Sequence, residues 1–128
     1  MKIQWIKQEK SNSAVTIYNN NITLSKQACG YFSDAYGIQV GFDTENEQLI
    51  MKKVTKEEAI KNNFDSSNLY TLTVKQSFGR INSKSLISEL QKFIDVDFSK
   101  QTSFKFSAKY NTGEKMLIID TKEVSKNV

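Results

Sequence analysis

Two short stretches decide the fold: Ser25-Lys26-Gln27-Ala28-Cys29-Gly30-Tyr31-Phe32 and Ser83-Lys84-Ser85-Leu86-Ile87. In the first, Ala28, Cys29, Phe32, Ala35 and Tyr36 fall on one stripe of a 3.6-residue period. In the second, Leu86, Ile87, Leu90, Phe93 and Ile94 repeat the register at a shift of 58 positions. Each begins with a serine where an N-cap is wanted, followed by lysine. These spacings predict helices over 25–36 and 83–94, the first ended by Gly37.

Outward from each helix the period changes from 3.6 to 2. Ile38, Val40 and Phe42 alternate with polar or small residues, Asp43 to Glu47 make a turn, and Leu49-Ile50-Met51 return, ending in Lys52-Lys53. After the second helix, Phe104, Phe106, Ala108 and Tyr110 alternate with Lys105, Ser107 and Lys109, Asn111 to Glu114 turn, and Leu117-Ile118-Ile119 return. Alternation of this kind marks half-buried strands. The two hairpins superpose at a shift of 68, which leaves extra residues, Asp95 to Thr102, between helix and hairpin in the second half. Each helix is preceded by strand-like sequence. Val15 to Tyr18, a turn at Asn19 to Asn21 and Ile22 to Leu24 lead into the first; Tyr70, Leu72, Val74 and then Gly79-Arg80-Ile81 lead into the second. An N-terminal strand over Lys2–Lys7, around Ile3 and Trp5, is expected in front. Thr55-Lys56-Glu57-Glu58 fits a capping box for a short helix through Ile60, and residues 62–68 form the link.

The expectation is an α+β protein of two pseudo-symmetric β-β-α-β-β repeats, about 1–60 and 61–128, in a single domain. One such unit is too small for a core of its own, so the repeats should share one interior. They would form a mostly antiparallel sheet or barrel with two main helices.

Composition narrows the chemistry. The chain of 128 residues has no histidine, no proline and a single cysteine, Cys29. That leaves no Ser-His or Cys-His nucleophile pair, no histidine-ligated metal and no intrachain disulfide. The expectation is therefore no enzyme, no metal and no cofactor. The carboxylates of Asp43, Glu45 and Glu47 are too few and too closely set for a calcium loop. The net charge is +4. Residues 1–60 carry seven lysines against seven acids, whereas residues 61–128 carry ten lysines and Arg80 against seven. No run approaches the length of a membrane span, and the segment Met1 to Lys10 has no leader pattern, so the cytoplasm is expected.

The step Ile22-Thr-Leu-Ser-Lys26, a helix, and a hairpin running from Gly37-Ile-Gln-Val-Gly-Phe-Asp43 to Leu49-Ile-Met-Lys-Lys53 resemble the AbrB/MraZ swapped-hairpin module. In that family two βαββ units interlock, and MraZ-like proteins carry both in one chain. The resemblance implies a DNA-binding transcription regulator or antitoxin. The arrangement is also similar to small proteins of prokaryotes and their mobile elements.

The basic residues are the candidates for contact with phosphates. Lys26 and Lys84 follow the two N-caps, and Arg80 lies beside Gly79. Lys52 and Lys53 end the first hairpin; Lys105 and Lys109 share the outer face of one strand. Each also has a plain reading as a solvated surface residue or as an edge-strand lysine that discourages aggregation. The aromatics Trp5, Phe42, Phe104, Phe106 and Tyr110, and Cys29, fit core positions. The leading expectation is a non-enzymatic nucleic-acid-binding regulator, compatible with a homo-oligomer. The alternative is a small phage or mobile-element inhibitor that docks on a host protein through residues 95–102 and the Glu45–Glu47 turn.

Overall fold

Strand alternation turns directly into burial: Val15, Ile17, Ile22 and Leu24 are all fully buried, with their outward neighbours Thr16 and Thr23 only half-buried. The computed structural model describes residues 1–6 and 13–122. Its elements run β1 (Ala14–Tyr18), β2 (Asn21–Ser25), α1 (Lys26–Gly30), β3 (Gly37–Asp43), β4 (Gln48–Val54), α2 (Lys56–Lys61), β5 (Thr73–Val74), β6 (Phe78–Asn82), α3 (Lys84–Leu90), β7 (Ser103–Asn111) and β8 (Met116–Asp120). The eight strands make one antiparallel sheet in the order β3-β4-β8-β7-β1-β2-β6-β5. The class is α+β.

The sheet curls into a half-barrel, and one isolated bridge reaches from its edge strand β3 to the segment ahead of β5. Ile38, in edge strand β3, exchanges both backbone hydrogen bonds with Tyr70, just ahead of β5, at 2.9 and 2.8 Å. Inside the curl lies the core, in which Ile17, Ile22, Leu24, Leu49, Met51, Ile81, Leu117 and Ile119 from five strands meet Ala28, Cys29, Leu86, Ile87 and Leu90 from α1 and α3. Three aromatic contacts cross between halves. Tyr31 and Phe32, just after α1, lie on Tyr110 of β7, Tyr31 stacked at 4.2 Å and Phe32 edge-on at 6.5 Å. Phe93, just after α3, stacks on Phe42 of β3 at 5.2 Å.

The helices are shorter than their stripes. Both were expected to run twelve residues, to 36 and 94, but α1 stops at Gly30 and α3 at Leu90. Beyond α1 the backbone tightens into bonds three residues long, Tyr31 N–H to the Ala28 carbonyl and Phe32 N–H to the Cys29 carbonyl. Such turns keep the side chains on the same face, so Phe32 and Ile94 are buried although neither is helical. Gly37 therefore opens β3 instead of ending α1, and Leu69 packs where its Cβ would be.

The N-terminal strand is corrected too. Residues 2–6 form no strand, and Trp5 is 83% exposed, not in the core; Lys7 lies outside the described residues. Alternation makes a strand only where a neighbouring backbone is free to pair, and no described strand pairs with this segment. The capping box at Thr55 is present, with Thr55 Oγ1 accepting from Glu58 N–H and Glu58 Oε1 accepting from Thr55 N–H. The inserted residues 95–102 are anchored: Val96 is buried and Phe98 packs edge-on against Phe104 at 5.5 Å.

Candidate nucleic-acid interface

Antiparallel registers align outward side chains in rows across the strands. One row on the face away from the core runs Lys105, Thr16, Thr23, Arg80, Thr73 across β7, β1, β2, β6 and β5. A neighbouring row holds Ser107, Ala14, Ser25 and Phe78. On the other side lie Ser103 and Tyr18, then Asn21 and Asn82. None of these five strands contains an aspartate or glutamate, and neither do the turns Asn19-Asn20 and Lys75-Gln76-Ser77 that join them. The whole chain has 14 acids among 128 residues, so their absence here is a matter of placement.

Arg80 sits at the middle of the β2–β6 ladder, opposite Thr23. Its Nε–H donates to Thr23 Oγ1 at 3.3 Å, and its guanidinium carbon lies 4.9 Å from the centre of the Phe78 ring. Thr23 Oγ1 in turn donates to Asn21 Oδ1 at 2.7 Å, and Asn21 Nδ2 donates to Asn20 Oδ1 at 2.7 Å. The guanidinium is thus held from one side by a hydrogen-bond chain and from below by a ring, with its other N–H donors free to meet an anion.

The predicted basic residues separate into groups. Lys105 shares the Arg80 row, and Lys109 lies further along the same face of β7, where it lines a hollow of about 350 Å³ with Gln48, Ser107, Ile118 and Asp120. Lys26 and Lys84 are exposed but do not converge. They follow the two ends of the β2–β6 ladder, where Ser25 faces Phe78 and Asn82 faces Asn21, which puts them on the order of 15 Å apart at about 3.4 Å per residue. Lys52 is half-buried on the outward side of β4. Lys53 is engaged elsewhere: its side chain, 16% exposed, forms an ion pair with Asp34 and holds that carboxyl below the usual carboxylate range. Among the described residues only Lys53 and Lys92 are in ion pairs.

The acids are occupied by their own turns. Asp43 accepts from Glu45 N–H, Asn46 N–H and Asn46 Nδ2, and these bonds lower its pKa. Among the described residues no cluster of three potential metal ligands occurs, and no helix is long and apolar enough to cross a membrane. Residue-by-residue reading passes over Thr16, Tyr18, Thr23, Lys75 and Phe78. The signal for them was the acid-free run of sequence through 13–33 and 66–88, visible only when stretches instead of single cations are weighed. No protein-family model, no curated protein and no solved structure matches the chain.

Proposed function

We propose that this chain is a non-enzymatic nucleic-acid-binding regulatory protein that holds phosphates on the acid-free outer face of β7, β1, β2, β6 and β5. The single observation that carries the reading is the placement of charge. Lys105 and Arg80, with Lys75 in the turn after β5, stand among hydroxyls and amides on five adjacent strands that carry no carboxylate, while Lys109, toward the β8 side, has Asp120 beside it. Phosphate binding is driven by such cations, and a carboxylate in their midst would repel the ligand. Lys26 and Lys84 flank this face at its two ends.

The same reading takes the chain as two β-β-α-β-β copies interlocked in the AbrB/MraZ manner. Several correspondences support it. Phe42 faces Leu49 in one hairpin and Tyr110 faces Leu117 in the other. The turns match in detail: Glu47 and Lys115 both have positive φ, 53° and 57°, and the Asp43 and Asn111 side chains accept from Asn46 N–H and Glu114 N–H. Ser25 and Ser83 cap alike. Ile50 faces Ile118 at the centre of the β4–β8 ladder, as expected where two copies meet on a two-fold axis.

Fluorescence anisotropy with mixed-sequence DNA and RNA tests the binding. A log–log salt slope of about −2 to −4 is expected from three or four phosphate contacts, shallower by about one to two in Lys105→Ala/Lys109→Ala. Binding weaker than about millimolar at low salt, where phosphate contacts are strongest, ends this reading.

A second reading, a small protein that docks on a host protein, is favoured by a different observation. Met1, Ile3, Trp5 and Ile6 are all exposed, Trp5 at 83%, and a cluster of large exposed apolar groups suits a partner surface. Stoichiometric capture of one host protein that survives nuclease and fails with Trp5→Ala favours docking over nucleic acid.

A further inference from the structure

We infer that the nucleic acid bound by this face is single-stranded, with a base stacked at the Arg80–Phe78 step; the inference rests on the nucleic-acid reading above. Shape is the first argument. The sheet curls around its core, so the outer face is convex. A duplex is a stiff convex rod and meets a convex surface along a line. Reading its grooves takes a protruding helix or ribbon, and this face has none. Its centre is made of the short side chains of Thr16, Thr23 and Ser25, while α1 and α3 turn their apolar sides into the core. A single strand is flexible enough to follow the curve.

Chemistry is the second argument. Arg80 is the only arginine among 18 basic residues, and it is the one basic side chain on this face that is fixed in place, by Thr23 and by the Phe78 ring. A guanidinium held over the Phe78 ring and by Thr23 can offer its planar face to a base and in-plane donors to a phosphate, which a lysine cannot do. Tyr18 supplies a second outward ring on the opposite side of the Lys105–Arg80 row from Phe78. The two rings are therefore separated by about 15 Å across the sheet, with the cations between them. Rings flanking a cationic track are the arrangement by which single strands are held without reading sequence.

The probes are a 12-nucleotide oligo-dT, a 12-nucleotide oligo-U and a 12-base-pair DNA duplex, each titrated at low salt. Both oligonucleotides should bind at least about tenfold tighter than the duplex, since one or two stacked bases supply a factor of that order. Arg80→Lys keeps the charge and should weaken oligonucleotide binding about fivefold or more while moving duplex affinity less than about twofold. Phe78→Trp in a Trp5→Phe background gives a readout independent of folding losses: its fluorescence should be quenched as oligonucleotide is added. Duplex binding as tight as oligonucleotide binding, or an unquenched Trp at 78, overturns the single-strand inference and leaves the nucleic-acid reading standing. Failure of all three probes to bind overturns both.

Discussion

Gly79 and Cys29 show how tightly α1 is pressed onto β6. A Cβ built on Gly79 would lie 2.5 Å from Cys29 Sγ and 3.1 Å from Leu72 Cδ1. Gly79→Ala should therefore destabilise the protein by about 1–3 kcal/mol through overpacking. In a Cys29→Ala background the added methyl group gains room, so the same substitution should cost clearly less. A double-mutant cycle by urea denaturation measures the coupling; equal costs in both backgrounds would mean that the sulfur is not the obstacle. Cys29 was legible in the sequence as a core residue because it sits on the helix stripe. Gly79 was not, because nothing local tells that a helix from another part of the chain lies over it. Arg80 was half legible: its charge is plain in the sequence, but Thr23, the residue that holds it, lies 57 positions away.

At the scale of elements, starts were readable and ends were not. Ser25, Thr55 and Ser83 each cap a helix through a backbone N–H three residues on, as side-chain chemistry dictates. Removing the cap by Thr55→Ala or Ser83→Ala should cost about 1 kcal/mol each. Ser25→Ala should cost more, because Ser25 Oγ also accepts from Ala14 N–H at 3.0 Å and so ties α1 to β1. Chemical denaturation of the three variants checks the order, and an equal loss in all three would remove the extra role of Ser25. Helix ends were misread because the apolar stripe outlasts the helix, carried on by turns that bury Phe32 and Ile94. The first strand was misread for the converse reason: Ile3 and Trp5 alternate correctly, but a pattern cannot say whether a pairing edge is available. The hairpins were legible to within a residue at each strand end, since pattern and turn chemistry agree in both.

For the whole molecule, acid is the condition to which stability should respond. Asp34, Asp43, Glu58, Asp65 and Asp97 all have lowered pKa values, Asp34 chiefly through Lys53 and the others through hydrogen bonds within their own caps and turns. The folded state keeps these groups ionised to lower pH than the unfolded chain does. Their stabilisation is therefore complete above the ordinary carboxylate range, near pH 4, and lost as pH falls through the lowered values. With no histidine in the chain, urea midpoints should be nearly flat from about pH 6 to 8 and fall below about pH 4. A midpoint that rises on acidification would contradict the assignment of these bonds.

Where Thr23 faces Arg80, the halves of the sheet differ at the very centre of their shared ladder. A homodimer whose two-fold axis passed through such a pair would be obliged to place identical residues there, two threonines or two arginines, and would look the same from either end. Carrying both strands in one polypeptide releases that constraint. One side carries a hydroxyl, the other a cation, and the hydroxyl holds the cation through a hydrogen bond. A surface broken in this way has a direction, so a ligand with its own polarity, such as a strand running 5′ to 3′, meets it in one orientation rather than two.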